Sequence, residues 1–287
     1  MSCLIFRHMI HSHPRDGRCL LGYNARVLPI EMNSHNGNAG RINLSGTYTK
    51  GIPMKILGVS GSPRIEKRSG TIKLLKHILE HTGIDYELVS LQGKTINGCI
   101  GCMACADDNI CKIKDDFAPL RDKIVEADAY VLGGVNYFGT LNAVMHAFLE
   151  RWYQFRHREA DIMWGKLAVT VGLGGLMPKP PADMMNTFCA YNLVKVVDTV
   201  HATGALGCCY CGYGETCKVG GHYAIHGPDV PITPESIPDV MKNHCALDAG
   251  AKAGKKLGDA LRNGYDRMKI TQEMQSEMIK HQAMRDV

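Results

Sequence analysis

From Lys55 onward the chain alternates short apolar runs with amphipathic stretches of helical period, and that alternation limits the fold more than any single motif. "KILGVS" (55–60) is a continuous apolar run ending in glycine and serine, the form of a strand buried on both faces. "TIKLLKHILEHTG" (71–83) places Ile72, Leu75, Ile78 and Leu79 on one helical face and closes on Gly83. "YELVSL" (86–91) reads as a strand, "FAPLRDKIVEAD" (117–128) as a helix and "AYVLGGV" (129–135) as a third strand. "LNAVMHAFLERW" (141–152) sets Leu141, Val144, Met145, Phe148, Leu149 and Trp152 on one helical stripe. "KLAVTVGLGG" (166–175) is a fourth strand, "DMMNTFCAYNLVKV" (183–196) a helix and "DTVHATGAL" (198–206) a fifth strand. Strands alternating with helices predict an α/β fold, a doubly wound parallel sheet of five strands.

The rest of the chain divides around that unit. Residues 1–53, with Cys3 and Cys19, lack sustained periodicity and read as a poorly ordered extension or an over-long gene start, Met54 being a natural first residue for the fold. Residues 54–207 form the α/β domain, with a cysteine-rich loop at 95–116. Residues 208–231 are a second Cys/Gly-rich loop, and 232–287 a helical C-terminal tail. The net charge is +5 with no basic run or stripe, which argues against a nucleic-acid partner. No apolar stretch approaches the ~20 residues of a membrane helix, and the N-terminal apolar run is too short and interrupted for a signal segment, so a cytoplasmic protein is expected. The 12 cysteines then point to metal or redox chemistry rather than disulfide staples.

The turn "VSGSPRIEKRSGT" (59–71) joins the first strand to the first helix, where doubly wound sheets bind ligands. Ser60, Ser62, Ser69 and Thr71 offer hydroxyls, Gly61 and Gly70 let amides approach an anion, and Arg64 can pair with phosphate oxygens. Neither G-x-G-x-x-G nor a Walker Lys-Ser/Thr ending is present, so a monophosphate such as that of FMN suits the turn better than a dinucleotide or a triphosphate. A plain Ser/Gly turn is the alternative. Two further loops at the same sheet edge favour the cofactor. In "GGVNYFGTLNA" (133–143), Tyr137 and Phe138 can pack on a flavin ring while Asn136, Gly139 and Thr140 reach its edge; in "GLGGLMPKPP" (172–181), Gly174 lets backbone amides near the same ring.

Cys99, Cys102, Cys105 and Cys111 follow C-x2-C-x2-C-x5-C, close to the bacterial ferredoxin run. Two-residue spacers let successive thiolates reach three corners of a cubane, and the longer spacer swings the fourth across. Structural zinc more often uses two separated C-x2-C pairs, and a catalytic dithiol would leave two thiols unexplained, so the spacing favours a [4Fe–4S] cluster over either.

With "MKILGVSGSPR", the compact cysteine run, "EADAYVLGGVNYFG" and "NAVMHAFLER", the chain resembles the iron–sulfur flavoprotein family, a branch of the flavodoxin-like NAD(P)H-dependent FMN reductases. The resemblance spans about Met54 to Gly175, and departs from the family's pattern at Val135 and His146. It implies a flavodoxin-like sheet and an FMN phosphate held by Ser60, Ser62, Pro63, Arg64, Ser69 and Thr71. It implies Asn136, Tyr137, Phe138 and Gly139 near the ring, and a [4Fe–4S] cluster on Cys99, Cys102, Cys105 and Cys111. It also implies dimers or tetramers. The activity expected from pairing the two centres is electron transfer between ferredoxin or NAD(P)H and a small-molecule acceptor. A substrate-specific dehydrogenase and a non-catalytic redox sensor or carrier stand as alternatives.

Cys208, Cys211 and Cys217 repeat the last three positions of the first run, as C-x2-C-x5-C. A second iron–sulfur or zinc site is open there, with Cys209, Cys245 or Cys189 as candidates for a fourth ligand. A Gly/Cys-rich cap of reduced thiols is the alternative.

Overall fold

The computed structural model describes residues 54–283 apart from residue 159. The reading of residues 1–53, with Cys3 and Cys19, lies outside the described residues.

The sheet forms as the apolar runs require. Strands β1 (Ile56–Ser60), β2 (Tyr86–Ser90), β3 (Ala129–Tyr137), β5 (Leu167–Gly174) and β6 (Lys195–Thr203) pair in parallel in the order β2-β1-β3-β5-β6. The two-residue strand β4 (Thr140–Leu141) folds back antiparallel on the end of β3. Five parallel strands in this order are the flavodoxin-like, doubly wound arrangement.

Successive residues of a strand point to opposite faces, and the core divides accordingly. Leu57, Val59, Tyr130 and Leu132 face one layer with α2 (Arg121–Glu126), α3 (Ala143–Glu150) and α4 (Lys179–Tyr191). Ile56, Ala129, Val131 and Val169 face the other, against α1 (Gly70–Glu80) and α6 (His244–Arg262). The C-terminal helical part is therefore half core. Helix α6 lies so close to α1 that a Cβ at Gly254 would sit 2.2 Å from the Ile78 carbonyl, and one at Gly258 2.0 Å from that of Thr82. The short α5 (Gly221–His226) lies within the second cysteine loop, and α7 (Arg267–Ala283) closes the described chain.

Several boundaries differ from the sequence reading. Helix α4 starts at Lys179 rather than Asp183, because Pro180 and Pro181 fall in its first turn, where a missing amide hydrogen costs nothing. It also ends before Asn192 rather than running to Val196. The Asn192 side-chain amide donates to the Phe188 carbonyl and Leu193 adopts φ +51°, which releases Lys195 and Val196 into β6. Leu141, read as part of a helix, lies in β4; a two-residue hairpin turn at Phe138 and Gly139 (φ +53° and +81°) intervenes before α3. Among the described residues no helix is long and apolar enough to cross a membrane.

Candidate cofactor site

The strand order reverses between β1 and β3, and the carboxyl ends of these strands are where a doubly wound sheet leaves a crevice. The amide of Gly61 donates to the Gly133 carbonyl at 2.8 Å, tying the turn after β1 to β3. Asn142, the residue before α3, completes the clamp. Its Nδ2 donates to the Gly61 carbonyl at 2.7 Å, and its Oδ1 accepts the Val135 amide at 3.1 Å. A Cβ on Gly61 would meet the Met145 Cβ at 2.5 Å, so only glycine lets α3 pack this close to the turn.

Within the turn the hydroxyls order the backbone. Ser60 Oγ accepts the Ser62 amide, Ser62 Oγ the Arg64 amide, and Ser69 Oγ caps α1 by accepting the Ile72 amide at 3.2 Å. As acceptors, these three keep their hydroxyl hydrogens for an anion. Ser60, Ser62, Ser69 and Thr71 are all buried, while Pro63 is exposed at the tip. Among the described residues Thr71 Oγ1 is buried with no hydrogen-bond partner. A buried orphan hydroxyl beside the first amides of α1 fits a bound phosphate, which would satisfy it.

The rim loops also converge. Asn136 Nδ2 donates to the Met177 carbonyl, and Asn136 Oδ1 accepts the Gly139 amide at 2.9 Å. Asn136 is thus a brace between the β3–β4 hairpin and the loop after β5. Gly174 sits under that brace: a Cβ there would lie 2.4 Å from the Met177 carbonyl. Tyr137, Phe138, Leu176 and Met177 form an exposed apolar lip, with Phe138 wholly solvent-accessible. Apolar side chains standing free at a sheet edge suit a flat ring system.

Beneath the other end of α3 lies the first cysteine loop. Arg151, directly after α3, donates from Nη1 to Asp115 at 2.6 Å and to the Asn97 carbonyl, and from Nη2 to the Ile113 carbonyl. The side chains of Arg151 and Asp115 are 1% and 2% exposed. Burial pushes the Asp115 carboxyl up, but the amides of Asn97 and Phe117 and the Arg151 guanidinium outweigh it and hold the group below its ordinary range. Glu150 accepts the Cys99 amide at 3.1 Å, Gln154 the Cys111 amide at 3.0 Å, and His157 Nε2 lies 3.2 Å from Cys105 Sγ. Cys99 and Cys102 are exposed, Cys111 half-buried and Cys105 buried. Burial raises the Cys105 thiol, opposed by its backbone hydrogen bond and reinforced by Cys111, Cys99 and Cys102, so the other three thiols lie within electrostatic reach of Cys105. Among the described residues no three His, Cys, Asp or Glu side chains already stand in a metal-holding arrangement. The donor set nevertheless fits a thiolate-ligated cluster: four thiols on one exposed loop whose backbone is fastened from outside.

Asn142, Arg151, Gln154 and His157 were missed in the sequence. Arg151 carried a faint signal, an arginine within the apolar "FLERWYQF"; the other three carried none.

The second cysteine loop reaches this site. Leu206 packs where a Cβ on Gly175 would be, and Tyr210 lies under both arginines of the turn after β1, 4.9 Å from Arg64 and 5.7 Å from Arg68. Cys189 is excluded as a fourth ligand there, because it lies on the core face of α4, fully buried, where burial pushes its thiol to about 12.

Residues 54–201 match the NADPH-dependent FMN reductase family. An iron-sulfur flavoprotein of Methanocaldococcus jannaschii is 32% identical over 163 residues, 53% of this chain and 81% of that protein. One from Archaeoglobus fulgidus is 33% identical over 149 residues, 50% of this chain and 66% of that protein. The solved structure of RosB with bound 8-demethyl-8-formylriboflavin-5′-phosphate superimposes with a TM-score of 0.51 at 15% identity, covering 81% of this chain and 87% of that one, which supports the fold alone. With the crevice, the anion-fitted turn and the apolar lip in place, the chain belongs to the iron–sulfur flavoprotein branch of the NADPH-dependent FMN reductase family and is an FMN-dependent oxidoreductase.

Proposed function

We propose that the chain is an electron-transfer flavoenzyme that holds FMN in the β1–β3 crevice and a [4Fe–4S] cluster on Cys99, Cys102, Cys105 and Cys111. It links NAD(P)H or ferredoxin to a small-molecule acceptor. FMN exchanges two electrons or one, and a cubane passes one at a time, so a protein holding both can couple two-electron to one-electron partners. In this reading Ser60, Ser62, Arg64, Ser69, Thr71 and the first amides of α1 bind the phosphate, with Pro63 at the tip of the turn. Asn136, Tyr137, Phe138, Gly139 and Gly174 form the ring's edge. Glu150, Arg151 and Gln154 orient the cluster loop. No side-chain general base is required.

The observation that carries the proposal is helix α3. Its first residue follows the Asn142 clamp on the phosphate turn, and its last turn fastens the cysteine loop through Glu150 and Arg151. Eight helical residues span about 12 Å. One element thus links the turn after β1 to the cysteine loop, which supports a fixed separation between the two proposed sites. The exposed apolar lip supports a dimer or tetramer that covers it.

The test is protein purified without air. We expect a flavin spectrum overlaid on cluster absorption, about four iron and four acid-labile sulfide per chain, and multiple-turnover reduction of a quinone or nitroaromatic acceptor by NAD(P)H or reduced ferredoxin. Absence of acid-labile sulfide, or failure to reduce any acceptor with either donor, overturns it.

A further inference from the structure

We infer that Cys208, Cys211, Cys217 and His222 bind a zinc ion that locks the second cysteine loop over the phosphate turn.

The sequence here is Cys208-Cys209-Tyr210-Cys211-Gly212-Tyr213, and its backbone is tightly curled, with the Cys211 thiol 3.5 Å from the Cys208 carbonyl. Cys209 and Tyr210 donate their amides to the Leu206 and Gly207 carbonyls, which curls the chain between Cys208 and Cys211. Gly212 then takes φ +82°, and the Tyr213 amide donates to Cys211 Sγ at 3.4 Å. An amide aimed at a sulfur stabilises its thiolate, the form that ligates metal. Cys217 returns to the same place: a Cβ on Gly220 would touch Cys208 Sγ at 3.4 Å and the Cys217 Cβ at 3.3 Å.

The fourth donor in this assignment is His222, at the start of α5, the helix that packs against the Gly207–Cys209 turn. It is 3% exposed, and its Nε2 lies 3.0 Å from the Val230 carbonyl. A carbonyl only accepts, so Nε2 carries the proton and Nδ1 keeps its lone pair. Metal-ligating histidines are commonly oriented by this hydrogen bond to a backbone carbonyl. The full spacing is C-x2-C-x5-C-x4-H, a Cys3His set of the kind that holds structural zinc. One imidazole with three thiolates favours tetrahedral zinc over a cubane. Cys209 adjoins Cys208 and cannot turn its sulfur to the same centre without breaking the turn. As in the first loop, the donors are not yet gathered around a point; metal binding supplies that last ordering.

The loop so fixed carries Leu206 against the loop after β5 and Tyr210 against Arg64 and Arg68. The expected consequence for flavin retention rests on the proposed FMN site; the metal assignment does not.

The experiment counts zinc, iron, acid-labile sulfide and FMN in the full chain produced with zinc supplied, as wild type and as the variants C208S/C211S, His222→Ala and His222→Cys. We expect about one zinc per wild-type chain, lost in C208S/C211S with iron and sulfide unchanged. In competition with a chelator, His222→Ala should hold zinc at least 10-fold more weakly and His222→Cys should restore it, which a merely structural histidine would not show. FMN should dissociate several-fold faster from the zinc-free variant. Wild type without stoichiometric zinc, zinc retained in C208S/C211S, or iron lost from that variant in place of zinc each overturns the assignment. A zinc count that follows the variants in protein that never binds FMN upholds the zinc site and sinks the flavin reading.

Discussion

The two cysteine loops share a C-x2-C-x5-C stretch, Cys102–Cys111 in one and Cys208–Cys217 in the other, yet they are held by opposite means. The first is gripped from outside. Arg151, Glu150, Gln154 and His157, all from the end of α3 and the turn after it, reach its backbone or its thiols. The second is shaped from within, by turns a few residues long and by the amide of Tyr213 on Cys211. Equal thiol spacing therefore does not imply equal dependence on the fold. The first loop should fail when its buried anchor is cut, and the second when its centre is left empty.

The largest effect expected of that contrast is at Arg151. Arg151→Met leaves the Asp115 carboxylate buried without its partner, and breaking a buried pair costs about 3–5 kcal/mol. Iron and sulfide should fall sharply, while zinc at Cys208, Cys211 and Cys217 and FMN binding persist. Parental iron content and an unchanged thermal midpoint would show that the first loop holds itself. Asn142 comes next. Asn142→Ala strands the Gly61 carbonyl and the Val135 amide, at about 1–3 kcal/mol per unsatisfied group. Flavin titration should show FMN bound 10-fold or more weakly with iron unchanged; equal loss of both would mean that α3 had shifted as a whole.

These two residues also mark the limit of what the sequence discloses. The strands and their parallel pairing were legible because burial on two faces writes continuous apolar runs, and the segment at 59–71 was legible as the Ser/Gly-rich turn from first strand to first helix. The four thiols were legible because spacing alone constrains them. Asn142 was not, since an asparagine before a helix reads as an ordinary cap, and its reach to Gly61 depends on how β1 and β3 pair. Tyr210 was not either: its contact with Arg64 joins residues 146 positions apart, which no local pattern encodes. The helical tail was legible, but nothing in its sequence showed that Gly254 and Gly258 serve the close approach of α6 to α1.

Acid sharpens the comparison further, with a smaller effect, because a proton neutralises Asp115 but leaves the side chain in place. Its carboxyl lies below the ordinary range in the fold, against about 4 when unfolded. A depressed carboxylate stabilises fully above the unfolded value, and that contribution is lost as pH falls through the lower folded value. The protection of the Asn97 and Phe117 amides against hydrogen exchange, relative to an unstructured chain at the same pH, should therefore stay high at neutral pH and fall below about pH 4, since both donate to Asp115. In Asp115→Asn the acid dependence should vanish. An unaltered profile in that variant would assign the acid response elsewhere.

The smallest effect separates an action of the second loop at the turn after β1 from any action at the proposed ring site. Tyr210 lies under Arg64 and Arg68, and exposed cation–π contacts are worth about 0.5–1 kcal/mol each. Tyr210→Ala should weaken FMN binding by at most roughly 5- to 30-fold, since two such contacts sum to about 1–2 kcal/mol and about 1.4 kcal/mol is tenfold, and Tyr210→Phe should keep parental affinity because the ring face is retained. Riboflavin, which has no phosphate, should bind parent and Tyr210→Ala alike. If riboflavin weakens as much as FMN, Tyr210 acts on the ring or the ribityl chain instead, and the second loop covers the whole crevice rather than its phosphate end.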